Sequence, residues 1–374
     1  MSKGFQIIHR DSQTRARIGL ILTPHGPVET PAFAPVASQG TVKALTFAQL
    51  EELGAQIILV NSYHLYLRPG IELIEKMGGL HSFISWPKPI ISDSGGFQIY
   101  SHSPLARISL EGVQFVSHLD GQRIFLRPED VVDLQLRLGS DIMMTLDYFV
   151  PYSASFEQHR QAVAITSLWA QRCKQEFLKK ETPQQLWGIC QGGTFSDLRR
   201  QSLEDLLQLD FDGYALGGLG LGEPKSELIK TIEDCLPYLP EEKPRYLMGM
   251  GYISDLLEAV SYGLDFFDCV LPTRNARTGT LFTSQGKIVI KHQKYADDKR
   301  PIDENCNCYT CRHFSRAYLR HLYERQEITS AILNTIHNLY FYLDIFRKIR
   351  QAIASNSFGS LKASLSEADK EKEE

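Results

Sequence analysis

The 374-residue sequence has no apolar run approaching the roughly 18 residues that a membrane-crossing helix needs. It also lacks the charged-then-apolar opening of a secretory leader, since its first residues read MSKGFQIIHRDSQTRARIG. A cytoplasmic location with no membrane partner is therefore expected. Cysteine is sparse, 7 residues in all, and a reducing compartment argues against disulfides. No G-x-x-x-x-G-K-[ST] phosphate loop occurs, so no nucleotide-driven chemistry is expected. The net charge of −4 by itself argues neither for nor against a nucleic-acid partner. Hydrophobic residues at 43% and charged residues at 22% are ordinary for a soluble globular chain.

What is present is an alternation. Short apolar runs recur at TPAFAPVAS, AQIILVNS, PIISDSGG, DIMMTLD, QLWGICQGG, GYALGGLG, RYLMGMG and FFDCVLPT. Helical patterns such as TFAQLEELG, RPEDVVDLQLRLG and KSELIKTIEDCL lie between them. Ser155 and Ser254 are placed to cap first turns. Strand and helix alternating in this way predict parallel strands closed into an α/β (β/α)8 TIM barrel, with 1–374 as one domain. Two segments break the rhythm. ISLEGVQFVSHLDGQRIFLRPED reads as an inserted hairpin turning at LDGQ. After the eighth run, residues 272–330 delay the last helix, AILNTIHNLYFYLDIFRKIRQAI, and form a candidate inserted subdomain. The charged tail 360–374 is expected to be disordered.

That insertion concentrates charge and thiols. From Leu271 to Arg325 eleven Lys or Arg stand against five acids, a balance of +6 in an acidic chain. A local polyanion surface is one reading and a solvated face the other. Cys306, Cys308 and Cys311 place three soft ligands in one loop, the spacing of a zinc site. A fourth ligand must come from His313, His321 or His337. His313 follows too closely for comfortable geometry, and His337, on the last helix, could clamp the insertion to the barrel. Four protein ligands make the site structural. Cys190 and Cys269 read as small buried hydrophobes.

In a barrel, chemistry belongs at the C-terminal ends of the strands. Those ends carry Asp93, Asp147, Gln191, the backbone around Gly218, Met248 and Asp268. A single strand-end Asp is usually a turn or cap. Three acids and an amide on different strands of one barrel instead suggest a pocket.

The motifs QGTVKALT, NSYHLYLRPG, SDSGGFQ, YALGGLGLGEP, YLMGMG, DFFDCVLPTRNARTG and CNCYTC followed by NTIHNLYFY resemble, in this order, the bacterial queuine/tRNA-guanine transglycosylases. The resemblance covers nearly the whole chain. It implies exchange of the wobble guanine of G-U-N anticodon tRNAs for a 7-deazaguanine base, and a homodimer. It implies Asp268 as nucleophile on the ribose and Asp93 as general acid/base that also binds the base. Phe97 would stack on the base beside Ser94. Asp147, Gln191, Gly218 and Leu219 would read its edge, and Met248 would wall the pocket. Arg274 and Arg277 would hold flanking nucleotides. Cys306, Cys308, Cys311 and His337 would hold one structural Zn2+ per subunit, which selects His337 among the histidines.

The residue types suit that chemistry. A carboxylate beneath an anomeric carbon can capture oxocarbenium character covalently, and a second, differently protonated carboxylate can serve the leaving base. Retention of both Asp93 and Asp268 speaks against a non-catalytic tRNA-binding subunit. The basic block speaks against a barrel acting on a small metabolite. The chain departs from the family pattern at Tyr148, Phe149, Gly220 and Leu221, which border the expected place of the 7-substituent. Glu223 could meet a cationic aminomethyl group, which favours 7-aminomethyl-7-deazaguanine over queuine as incoming base.

Overall fold

The computed structural model describes residues 4–102 and 106–370. All eight apolar runs become strands: β1 (Ala32–Pro35), β2 (Ile58–Asn61), β3 (Ile90–Asp93), β4 (Ile142–Met144), β5 (Gln185–Cys190), β6 (Gly213–Leu216), β7 (Arg245–Leu247) and β8 (Phe266–Cys269). Their order is β1-β8-β7-β6-β5-β4-β3-β2, each neighbour parallel. A bridge between Val36 and Leu59 closes β1 on β2. The result is the expected α/β barrel.

Side-chain alternation divides each strand. Ala34, Leu59, Ile91, Met144, Trp187, Ile189, Ala215, Tyr246 and Phe266 fill the barrel interior. Val60, Ile90, Met143, Leu186, Leu216, Leu247 and Phe267 face the helices. Two residues beyond an interior position is the interior again. That parity aims Asn61, Asp93, Gln191, Met248 and Asp268 inward at the C-terminal end.

A three-stranded antiparallel sheet, Gly4–Arg10, Arg17–Thr23 and Gly26–Thr30, precedes the barrel and was not anticipated from the sequence. Ile21 and Val28 from it join the interior cluster, closing the N-terminal mouth. The insertion after β3 is three-stranded rather than a simple hairpin: Arg107–Ser109, Gly112–Val116 and Arg123–Leu126. The extra turn rests on Gly112, at φ 154°, where a Cβ would lie 2.3 Å from the Leu126 carbonyl oxygen. Ser155 caps its helix, accepting from the Gln158 amide. Ser254 does not; it sits inside the helix Ile253–Ser261, which starts after Tyr252 with no side-chain cap. The expected disordered tail is helical from Phe358 to Lys370, and Leu361 and Leu365 pack on the core. Residues 371–374 lie outside the described residues.

The insertion after β8 builds its own small core, including Leu281, Ile290, Tyr295, Ile302, Leu319 and Leu322, around the hairpin Thr280–Thr283/Gly286–Val289. The long helix Ile328–Ala354 joins it to the barrel. Asn338 donates to the Pro272 and Thr280 carbonyls and accepts from the Phe282 amide. Lower on the helix, Tyr342 and Phe346 pack on Phe33 of β1.

Candidate active site

Asp93 ends β3 and is almost fully buried. Asn61, at the end of β2, donates to its Oδ2 at 2.9 Å, and the Ser62 hydroxyl donates to its carbonyl. Burial pushes the Asp93 carboxyl up to about 7, and the charges of Asp147 and Asp268 add to that. Hydrogen bonds from the Ser94 backbone and the Gln98 side chain pull the other way.

Asp147 follows β4 and is buried. Gln191 donates to its Oδ2 at 2.7 Å, and Ser94 donates to Oδ1 at 3.4 Å. Burial pushes this carboxyl up to about 6. Two glycines allow the close approach of these groups. A Cβ on Gly96 would fall 2.5 Å from the Asp147 carbonyl oxygen, and one on Gly218, at φ 68°, would fall 2.6 Å from Gln191 Oε1. Leu219 is buried behind that loop, and Met248 is half-buried.

Asp268 lies on β8 with part of its surface open. The Tyr246 phenol donates to Oδ1 at 2.6 Å and the Gly249 amide donates to the same atom at 2.8 Å. Oδ2 is left without a protein donor among the described residues. Burial raises the Asp268 carboxyl above its ordinary range, and the two hydrogen bonds oppose this. Tyr246 itself is pushed far up, by burial and then by the Asp268 charge, so it remains a donor.

Phe97 is 40% exposed and meets Phe149 edge-on at 5.0 Å. Phe149 is buried and meets Tyr100 in the same way, also at 5.0 Å. Phe149, Tyr148 and Asp147 also line a cavity of about 450 Å³. Arg274 and Arg277 are exposed on the helix Leu271–Arg277 directly after β8. Arg274 lines a second cavity, of about 480 Å³, with Gly220, Tyr252 and Val270. Glu223, half-buried, accepts from the amides of Gly220 and Leu221.

Asn61, Gln98 and Tyr246 were not singled out in the sequence. For Asn61, a polar residue closing an apolar run in IILVNS was the available signal. Tyr246 gave none, because an aromatic within a buried strand reads as core.

Cys306, Cys308, Cys311 and His337 converge as expected. His337 Nδ1 lies 3.7, 3.6 and 3.3 Å from the three sulfurs. Zinc–sulfur and zinc–nitrogen bonds of about 2.3 and 2.0–2.1 Å at tetrahedral angles require roughly 3.6 Å. His337 Nε2 donates to the Phe282 carbonyl at 2.7 Å, which leaves the Nδ1 lone pair for a metal. The four groups can therefore hold a tetrahedral ion. Cys173, Cys190, Cys235 and Cys269 are buried and free.

A further group, His25, His81 and Asp141, lies at the opposite end of the barrel. Its imidazoles stack at 3.6 Å with planes 15° apart, so one ion cannot lie in the plane of both rings. Both rings instead hydrogen-bond the buried Asp141 carboxylate, at 2.8 and 3.1 Å.

Residues 11–371 match the family model described as Queuine tRNA-ribosyltransferase. A queuine tRNA-ribosyltransferase of Thermodesulfovibrio yellowstonii is 55% identical over 358 residues, covering 96% of this chain and 93% of its own. One from Caldanaerobacter subterraneus subsp. tengcongensis is 52% identical over 349 residues, 93% of each chain. One from Halothermothrix orenii is 50% identical over 357 residues, 96% of this chain and 95% of its own.

Proposed function

The chain belongs to the queuine tRNA-ribosyltransferase family, and from that premise we propose that it exchanges the wobble guanine of G-U-N anticodon tRNAs (those for Asp, Asn, His and Tyr) for 7-aminomethyl-7-deazaguanine. The observation that carries this reading is the difference between two inward carboxylates. Asp268 is anchored through one oxygen by Tyr246 and Gly249. Asp93 is held near neutrality by burial and neighbouring charge.

In the first displacement, Asp268 Oδ2 bonds to the ribose C1′ as the bond from C1′ to guanine N9 breaks. Asp93, protonated, gives its proton to the departing base. The incoming base enters, Asp93 takes a proton from it, and its nitrogen attacks C1′ while the Asp268 ester bond breaks. Two inversions return the β configuration. One glycosidic bond replaces another, so no nucleotide hydrolysis is required. Asp147, Gln191 and the Gly218–Leu219 backbone supply a buried edge of acceptors and donors, which rejects bases that leave them unpaired. Phe97 provides the stacking face. Arg274 and Arg277 carry the flanking phosphates.

The aminomethyl base is favoured by charge. Asp93, Asp147, Asp268 and Glu223 make the surroundings acidic. Because Glu223 takes the Gly220 N–H, the planar peptide turns the Leu219 carbonyl the other way, leaving an acceptor for an ammonium donor. The Cys3His group suits one structural zinc, which when bound ties the loop 306–311 to the long helix. The exposed aromatics Tyr309 and Tyr318, the latter stacked on Phe314 at 5.4 Å, support a homodimer. A cytoplasmic location agrees with the absence, among the described residues, of any helix long and apolar enough to cross a membrane.

Displacement of radiolabelled guanine from tRNA by the aminomethyl base and by queuine tests the reading. Faster displacement by the aminomethyl base is expected; preference for queuine reverses the substrate assignment. Denaturant quenching should trap a protein–RNA adduct that Asp268→Asn cannot form. An adduct in that variant would remove the nucleophile role.

A further inference from the structure

The sheet inserted after β3 has one face in the core and one on which Arg107, Gln114, Arg123 and Phe125 are exposed among the described residues. Val113, Phe115, Ile124 and Leu126 point into the main core. On the other face the register sets Arg107 opposite Gln114 and Gln114 opposite Phe125, a single cross-strand row. In the next row Val116 stands opposite Arg123. Phe125 is 48% exposed and Val116 37%. Two strand spacings make the row about 10 Å wide.

The charge on this face is not neutralised locally. The acids of the insertion are turned toward barrel arginines, Asp120 to Arg68 at 3.2 Å and Glu111 to Arg172 at 3.8 Å. Neither Arg107 nor Arg123 makes an ion pair among the described residues. The row therefore sets the Gln114 amide between the unpaired Arg107 guanidinium and the Phe125 ring, with the second unpaired guanidinium, Arg123, two residues from the ring along its own strand. Apolar surface alone would suit many partners. The pairing of a ring with free positive charge selects a phosphodiester chain with a base or ribose to lay on the ring.

Position supports the same occupant. The helix Gly96–His102, which carries Phe97, ends just before the sheet begins at Arg107. Near the tip, His118 pairs with the Tyr63 hydroxyl at 3.0 Å, and Phe115 packs on Tyr63 at 5.4 Å. Tyr63 follows β2 and lies under Gly95, where a Cβ would be 2.7 Å away. The sheet is thus fixed to the catalytic end of the barrel, in the β2–β3 sector rather than the β8 sector that carries Arg274 and Arg277.

We propose that the outer face of this sheet, through Arg107, Gln114, Arg123 and Phe125, binds a second stretch of the same RNA, away from the nucleotides that enter the pocket. The inference rests on the tRNA reading above.

The test compares wild type, Phe125→Ala and the pair Arg107→Gln/Arg123→Gln in guanine exchange on full-length tRNA and on an anticodon stem-loop. Phe125→Ala should raise KM roughly tenfold. The double variant should lower the salt dependence of log KM by about 1.5–2. The kcat should stay within twofold, showing an intact fold and pocket. A KM rise on either RNA supports the proposal, and the pair of substrates locates the contact. Unchanged KM on both overturns it. So does a loss of dimer mass without a change in RNA affinity, which would make the face an interface between copies. If wild type exchanges guanine in neither RNA, the tRNA reading fails instead.

Discussion

The phenol of Tyr246 donates to Asp268 Oδ1 at 2.6 Å from the neighbouring strand of the barrel. Both residues point inward because each lies in register with interior positions, and the phenol has little alternative in a buried apolar wall. The bond fixes which carboxylate oxygen stays available and which is held.

Tyr246→Phe should therefore cost catalysis without emptying the barrel core. Losing one hydrogen bond to a charged acceptor is worth about 1.5–3 kcal/mol, or roughly 10–150-fold in kcat/KM. The bond also holds the Asp268 carboxyl down. Without it that group rises further, so the acidic limb of the kcat/KM profile should move to higher pH. An unchanged profile would show that Gly249 alone positions the carboxylate.

The Asp93 carboxyl makes a second prediction, about stability. Its folded value of about 7 lies above its ordinary 3.8. Between those values the folded chain holds a proton that the unfolded chain has lost, so stability falls as pH rises through that window. A displacement of this size is worth at most about 4 kcal/mol. Asp93→Asn should thus raise Tm relative to wild type at pH 8 and have little effect at pH 4, while abolishing guanine exchange. Equal Tm differences at both pH values would mean that Asp93 does not titrate in the window.

Metal removal should act locally. The Cys3His group ties residues 306–311 to the long helix, while the barrel strands make no bond to it. Chelation, or Cys308→Ala, should release about one zinc per chain. Hydrogen exchange should then accelerate first in the hairpin Thr280–Val289 and the helix Arg316–Glu324. Strands β1–β8 should keep their protection. Uniform loss of protection, or a metal carrying bound water, would contradict a closed structural site.

The barrel was legible because each strand is a short apolar run ended by a polar or glycine-rich break, and parity then aims the polar residue inward. Asp93, Asp268 and Gln191 follow from that alone. The N-terminal sheet was not legible in the same way, since its strands are half-exposed and alternate between apolar and polar residues. Gly112 hid a third strand, because its role is set by the backbone of a neighbour rather than by local pattern. Asn61 and Tyr246 act across strands that lie far apart in sequence, and only the closed barrel brings them to their carboxylates.

Phe149 poses a question that kinetics can decide. Two roles compete for it. It packs edge-on behind Phe97 at 5.0 Å, so it could act by orienting the stacking ring. It also lines the cavity of about 450 Å³ beside Asp147, so it could limit the 7-substituent directly. Phe149→Cys removes aromatic pairs worth about 0.5–1.5 kcal/mol each, which should raise KM for the incoming base roughly two- to tenfold. If Phe149 acts only through Phe97, KM for the aminomethyl base and for queuine should rise by the same factor, and Phe97→Ala should reproduce the effect at greater size. If it limits the substituent, KM for queuine should fall while that for the aminomethyl base rises. The buried edge-to-face contact favours the first outcome, because a ring enclosed by Phe97 and Tyr100 has little surface left to present to a ligand.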